Sequence, residues 1–130
     1  MKLFSITDIG RRREINEDYL YISDKPVGNL PNLFIVADGM GGHNAGDYAS
    51  KHAVDKAVSV IEHYTDEYDA ENILQKAIDD ANTHINRIAR QDRKYKGMGT
   101  TFVAVTFEGS HVTVANVGDS RMYIINDFIT

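Results

Sequence analysis

An aspartate at the end of an apolar run is the residue in this chain best placed to do chemistry. Asp38 follows the run Leu33–Ala37, and the glycine-dense segment GMGGHNAG follows it. Because glycine has no side chain, such a turn lets the backbone approach a cation or a phosphate closely. Carboxylate oxygens suit Mg²⁺ and Mn²⁺, and one carboxylate can serve two such ions. The pattern predicts a metal-binding carboxylate at position 38, and the plainer alternative is an aspartate that caps a turn.

Three further segments carry polar residues that could belong to the same site. They are REINED at 13–18, GMGTT at 97–101 and NVGDSR at 116–121. The guanidinium of Arg13 could bind a phosphate through two hydrogen bonds. Glu17 and Asp18 are adjacent, so on an extended chain they point to opposite sides and should not both ligate one ion directly. The alternatives are a surface arginine, a solvated acidic pair and, for Asp119, an ordinary turn aspartate.

Together and in this order, the four segments resemble the N-terminal half of a bacterial metal-dependent Ser/Thr protein phosphatase of the type 2C (PPM) family. The resemblance runs from Thr7 to about Asn126. It implies an α+β fold, in which an antiparallel β-sandwich is flanked by α-helices in α-β-β-α layers. Residues 1–130 would be the N-terminal portion of a single type 2C phosphatase domain, and thus an incomplete half of that fold.

The resemblance implies roles for the polar residues of these segments. The catalytic residues would be Asp38, which bridges two metal ions, and Arg13, which binds the substrate phosphate. Glu17 and Asp18 would meet the metal cluster mainly through bound water, and Asp119 would help to hold a third, weaker metal. Thr100 and Thr101 would pack or hydrogen-bond around the site. The implied metal set is Asp38, the carbonyl of Gly39, Asp18, Glu17 and Asp119.

The activity that the resemblance implies is hydrolysis of phosphoserine and phosphothreonine in proteins by a metal-activated water. Two Mn or Mg ions, with a third in a complete domain, would be the cofactors. Phosphorylated proteins are the expected partners. Two further metal aspartates of the family lie in its C-terminal half, so we expect the 130-residue chain alone to be weakly active or inactive. The alternative function is a non-catalytic, phosphatase-like binding or regulatory module.

Composition limits the other possibilities. A chain of 130 residues corresponds to one domain. The net charge of −5 argues against nucleic acid or an anionic membrane as a partner. With no cysteine, the chain can form neither disulfides nor thiolate metal sites, and it fits a cytoplasmic location. The lysine signature of a P-loop is missing, which argues against nucleotide binding.

Hydrophobic periodicity predicts the elements that must position the candidate residues. Strands are expected at 2–9, 19–23, 33–37, 100–107, 111–117 and 121–126, and helices at 44–64 and 70–92 with Asp69 as an N-cap. Half of a sandwich should leave an apolar sheet face uncovered, with Val103, Val105, Val112 and Val114 among its exposed side chains. Unpaired edges and such a face predict a homodimer or a swapped assembly.

Overall fold

Strands from both ends of the described chain form one antiparallel sheet. The computed structural model describes residues 18–41 and 45–118. The strands are β1 (Asp18–Ser23), β2 (Leu33–Met40), β3 (Gly99–Thr100), β4 (Phe102–Glu108) and β5 (His111–Val117). Their order across the sheet is β1, β2, β4, β5, and the short β3 pairs with the end of β2. The strands predicted at 2–9 and 121–126 lie outside the described residues.

Two helices begin and end close to where the sequence pattern predicts. They are α1 (Ala45–His63) and α2 (Ala70–Gln91). At the start of α2, a carboxylate oxygen of Asp69 accepts a hydrogen bond of 3.0 Å from the N–H of Glu71. This bond satisfies one of the N–H groups that the first turn of a helix leaves without a partner. The predicted N-cap is therefore confirmed.

The core lies between the helices and one face of the sheet. Leu33, Ile35 and Ala37 alternate along β2 and are all buried against the helices. The buried residues of the two helices recur at three- and four-residue intervals, as the pattern predicts. They include Ala49, Ala53, Ala57 and Ile61 of α1, and Ile73, Ala77, Ala81 and Ile85 of α2. Alanines at most of these positions let α1 lie close to the strands and α2 lie close to α1.

The opposite face of the sheet, here called the open face, is also apolar. Val36, Val112 and Val114 lie on it and are 47%, 37% and 42% exposed. The expectation that Val103 and Val105 are exposed as well is wrong, since both are buried. They lie on β4, between β2 and β5, so cross-strand neighbours flank them on both sides. Val36 also lies on a central strand, between β1 and β4, so the place of a strand in the sheet does not by itself decide which side chains of the open face are buried.

A buried asparagine joins the start of β2 to the end of β4. The side-chain oxygen of Asn32 accepts from the N–H of Phe107 at 2.7 Å, and its amide nitrogen donates to the carbonyl of Phe107 at 3.0 Å. The hydroxyl of Thr106 donates to the main-chain oxygen of Asn32 at 2.7 Å. These bonds hold β2 and β4 in one register, and that register decides which residues meet at the other end of the strands.

Within residues 18–41 and 45–118, neither helix is both long enough and apolar enough to cross a bilayer.

Replacing Asn32 by alanine should destabilise the chain by roughly 2 kcal/mol, because the N–H and C=O of Phe107 lose their side-chain partner. Urea unfolding measures the change. Asn72→Ala is the control, since the amide of Asn72 bonds to an exposed carboxylate of Glu67, and it should change stability by less than about 0.5 kcal/mol. Equal losses in the two variants would contradict the role given to Asn32.

Candidate functional site

Asp18 and Asp38 lie directly opposite each other on β1 and β2, at one end of the open face. The main-chain groups of Asp38 bond to Thr101 on the other side of β2. The two aspartates are therefore a non-hydrogen-bonded pair, the kind whose side chains lie closest, with Cα atoms about 4.5 Å apart. Like charges placed in this way repel each other. Two hard oxygen donors at such a position fit Mg²⁺ or Mn²⁺, which would relieve that repulsion.

The position of Asp38 within its strand differs from the prediction. The strand was expected to end at Ala37, but β2 continues to Met40, because Gly39 and Met40 pair with β3. Asp38 is thus held inside the sheet rather than on a turn. Hydrogen-bonded and non-hydrogen-bonded pairs alternate along a ladder. The carbonyl of Gly39 therefore points away from β3, towards the side on which Asp18 lies.

Thr101 contacts both main-chain polar groups of Asp38. The N–H of Thr101 donates to the carbonyl of Asp38 at 2.9 Å, and the N–H of Asp38 donates to the hydroxyl of Thr101 at 3.2 Å. Thr101 was expected to pack or hydrogen-bond near the candidate residues, and it does hydrogen-bond to the main chain of Asp38. Sequence reasoning gave it no further role. The observation that indicates a further role is the register of the strands. The residue pairs on either side, Gly39 with Thr100 and Val36 with Val103, place Thr101 opposite Asp38.

Gly118 continues the same row of residues across the sheet. The pairing of Phe102 with Val117 places it opposite Thr101. Its φ of +94° lies in the region that favours glycine. A β-carbon at this position would lie 2.8 Å from the methyl carbon of Thr101. Each of the four sequence segments therefore contributes one residue to this row, and Asp18 is the contribution of the segment at 13–18.

The remaining candidate residues are Arg13, Glu17 and Asp119. They lie outside the residues that the structure describes, so their roles stay predictions. Within residues 18–41 and 45–118, no group of three or more histidine, aspartate or glutamate side chains is placed to hold a metal ion. The described part of the candidate site is a pair of carboxylates, Asp18 and Asp38, and the main chain beside them.

A second group of titratable side chains lies on the two helices and on the 3₁₀ turn Arg93–Tyr95 that follows α2. The ring of Tyr48 stacks on those of His52 and Tyr95, with centroids 3.8 and 4.2 Å apart. The ring centroid of His84, on α2, lies 6.2 Å from that of His52. Desolvation and then the positive charge of Lys56 lower the pKa of His84 below its usual value. His52 lies on α1 and His84 on α2, and neither of them belongs to the aspartate pair.

The chain belongs to the protein phosphatase 2C family, whose model matches residues 10–127. It is 42% identical over 126 residues to the serine/threonine phosphatase Stp of Listeria monocytogenes, covering 95% of this chain and 49% of that protein. It is 33% identical over 127 residues to the protein phosphatase PhpP of Streptococcus pneumoniae, covering 96% of this chain and 50% of the relative. The chain thus spans about half the length of the curated relatives it matches.

Solved structures show the same fold. The serine/threonine phosphatase Stp1 from Staphylococcus aureus superposes with a TM-score of 0.79 at 42% identity, over 93% of this chain and 48% of that one. The catalytic domain of the phosphatase PstP, in complex with two manganese ions, superposes with a TM-score of 0.73 at 31% identity, over 89% and 47%. The sheet and the two helices described above are therefore the α+β arrangement of type 2C phosphatases.

Replacing Gly118 by alanine should destabilise the chain by roughly 2–4 kcal/mol, because a positive φ and a close contact with Thr101 add together. Gly97→Ala is the matched control, since Gly97 has a φ of +78° but no heavy atom within 4 Å of the place a β-carbon would take, and its cost should be about 1 kcal/mol. In a Thr101→Ser background, which lacks the methyl group, Gly118→Ala should destabilise the chain less than it does in the parent. Urea unfolding of the four proteins of this double-mutant cycle measures the difference. Equal costs at the two glycines would contradict the contact.

Proposed function

We propose that this chain carries part of the metal site of a phosphatase that hydrolyses phosphoserine and phosphothreonine in proteins. The observation that carries the proposal is the cross-strand pair of Asp18 and Asp38 on the open face. Two carboxylates directly opposite each other offer oxygen ligands that divalent cations prefer. Membership of the type 2C family, and relatives named as serine/threonine phosphatases, support the substrate class.

The metal-binding residues would be Asp38, Asp18 and the carbonyl of Gly39, with Glu17 and Asp119 joining them from outside the described residues. When bound, divalent cations would supply Lewis acidity and lower the pKa of a water molecule. Manganese is a suitable ion, since it prefers oxygen ligands. The PstP structure with two manganese ions supports the same choice for this chain.

The tasks of this chain's own residues follow from their chemistry. Asp38 and Asp18 would concentrate negative charge at one end of the open face, where it attracts cations. The paired strands would keep the two carboxylates at a constant separation. Arg13 would bind and orient the substrate phosphate through its planar guanidinium. Residues 1–130 would then form the N-terminal portion of one phosphatase domain.

The partners and location remain predictions. Phosphorylated proteins are the proposed substrates, with neither nucleic acid nor a membrane as a partner, and the cytoplasm is the proposed location. A homodimer or a swapped assembly also stays a prediction. The exposed side chains of Val36, Val112 and Val114 on the open face support it, because association would remove them from water.

The function is tested by phosphate release from a phosphothreonine peptide in the presence of Mn²⁺. The chain alone should turn over very slowly, whereas the chain extended by the C-terminal half of the Listeria relative should be active. In the extended chain, Asp38→Asn should lower the rate by about 100-fold or more, since removing charge from a metal ligand weakens both binding and the chemistry.

Asp79→Asn is the matched control for that experiment, because Asp79 is an exposed acid of α2, and it should keep the parent rate. A rate that Asp38→Asn leaves unchanged would contradict the proposed metal site. A folded extended chain without any Mn²⁺-dependent hydrolysis would favour the alternative, a non-catalytic binding or regulatory module.

A further inference from the structure

The strand pairing beside Asp38 is irregular at one residue. β3 ends at Thr100 and β4 begins at Phe102, although both keep the same register against β2. In a regular ladder, two opposite residues exchange N–H to C=O bonds in both directions. Here the carbonyl of Asp38 accepts from the N–H of Thr101, but the N–H of Asp38 donates to the threonine side chain. The hydroxyl of Thr101 thus takes a place in the ladder that a carbonyl usually fills.

The carbonyl of Thr101 has a different partner. It accepts a hydrogen bond of 2.7 Å from the hydroxyl of Thr100. The Thr101 hydroxyl is also 3.4 Å from the carbonyl of Asp38, with geometry that lets it donate there. Two adjacent threonine side chains therefore reorganise the main-chain bonding next to Asp38.

The two branches of the Thr101 side chain have different neighbours. The hydroxyl lies against the main chain of Asp38, and the methyl group lies on the side of Gly118, close enough to exclude a β-carbon there. Thr101 is buried, so these contacts hold it in one conformation. A serine at position 101 would keep the hydroxyl but lose the methyl group. A valine would keep the branched shape of the side chain but lose the hydroxyl.

We propose that Thr101 is a positioning residue for the metal site, whose hydroxyl holds the main chain of Asp38 so that its carboxylate stays opposite Asp18. The proposal rests on the proposed function in one respect, namely that Asp38 binds metal. The physical reason concerns the length of the link between the strands. A side-chain hydroxyl and a main-chain carbonyl reach across different distances, so the group that accepts the bond sets the local separation of the strands. Groups that orient a metal ligand affect affinity without touching the ion.

Thr101→Val and Thr101→Ser test the proposal in the 130-residue chain. Calorimetric titration with MnCl₂ should give about tenfold weaker binding for the valine variant, while the serine variant should bind like the parent. Amide hydrogen exchange, measured without metal, should show faster exchange at the N–H of Asp38 in the valine variant only. If the valine variant does not fold, Thr101→Ala removes the same hydroxyl without adding a methyl group.

Thr106→Val is the matched control, since Thr106 is a second buried threonine, near the far end of β4, and its hydroxyl bonds to Asn32. It should lose stability but keep the affinity of the parent for Mn²⁺. That separation of stability from affinity distinguishes positioning from general support of the fold.

Three results would overturn the proposal: a Thr101→Val variant that binds Mn²⁺ like the parent, a serine variant as weak as the valine variant, or unchanged exchange at the N–H of Asp38. Failure of the proposed function has a different signature. In that case the parent and Asp38→Asn would bind Mn²⁺ equally, while the exchange experiment would still decide whether the hydroxyl of Thr101 holds Asp38.

Discussion

The register of β2 against its neighbours is the constraint on which the candidate site depends. Asp18, Asp38, Thr101 and Gly118 occupy one row across four adjacent segments of the sheet. Because side chains alternate along a strand, a slip of one residue would turn Asp38 towards the helices and away from Asp18. The chain opposes such a slip at both ends of β2. Asn32 bonds to β4 at one end, and Thr101 bonds to Asp38 at the other.

The core and the candidate metal site lie on opposite faces of the sheet. Among the described residues, small residues on α1 and alternating apolar residues on β2 form a continuous core on the helical side of the sheet. Burying Leu33, Ile35 and Ala37 there directs Phe34, Val36 and Asp38 to the other side. The same alternation that builds the core therefore places a carboxylate on the open face. Folding and the proposed metal binding use opposite faces of the same strand.

Much of this arrangement is predictable from the sequence, for local reasons. The N-cap at Asp69, the apolar stripes of both helices and the β4–β5 hairpin depend on residues close together in the chain. β2 extends to Met40, and Val103 is buried, because of contacts with strands that are distant in sequence. No local sequence pattern predicts these two features. Asp18, Asp38 and Gly39 could be named as candidates from motifs alone. The place of Thr101 in the ladder required the register.

The proposed metal site lies beside Asp18 and Asp38, at the β1 end of this row. Paramagnetic broadening of amide NMR signals by Mn²⁺ tests it most directly, because broadening falls steeply with distance from the ion. Substoichiometric Mn²⁺ should first remove the signals of Asp18, Asp38 and Thr101, while those of Glu108 and His111, at the far end of the sheet, persist. Broadening centred instead on the exposed acids of α2, with the row unaffected, would contradict the account.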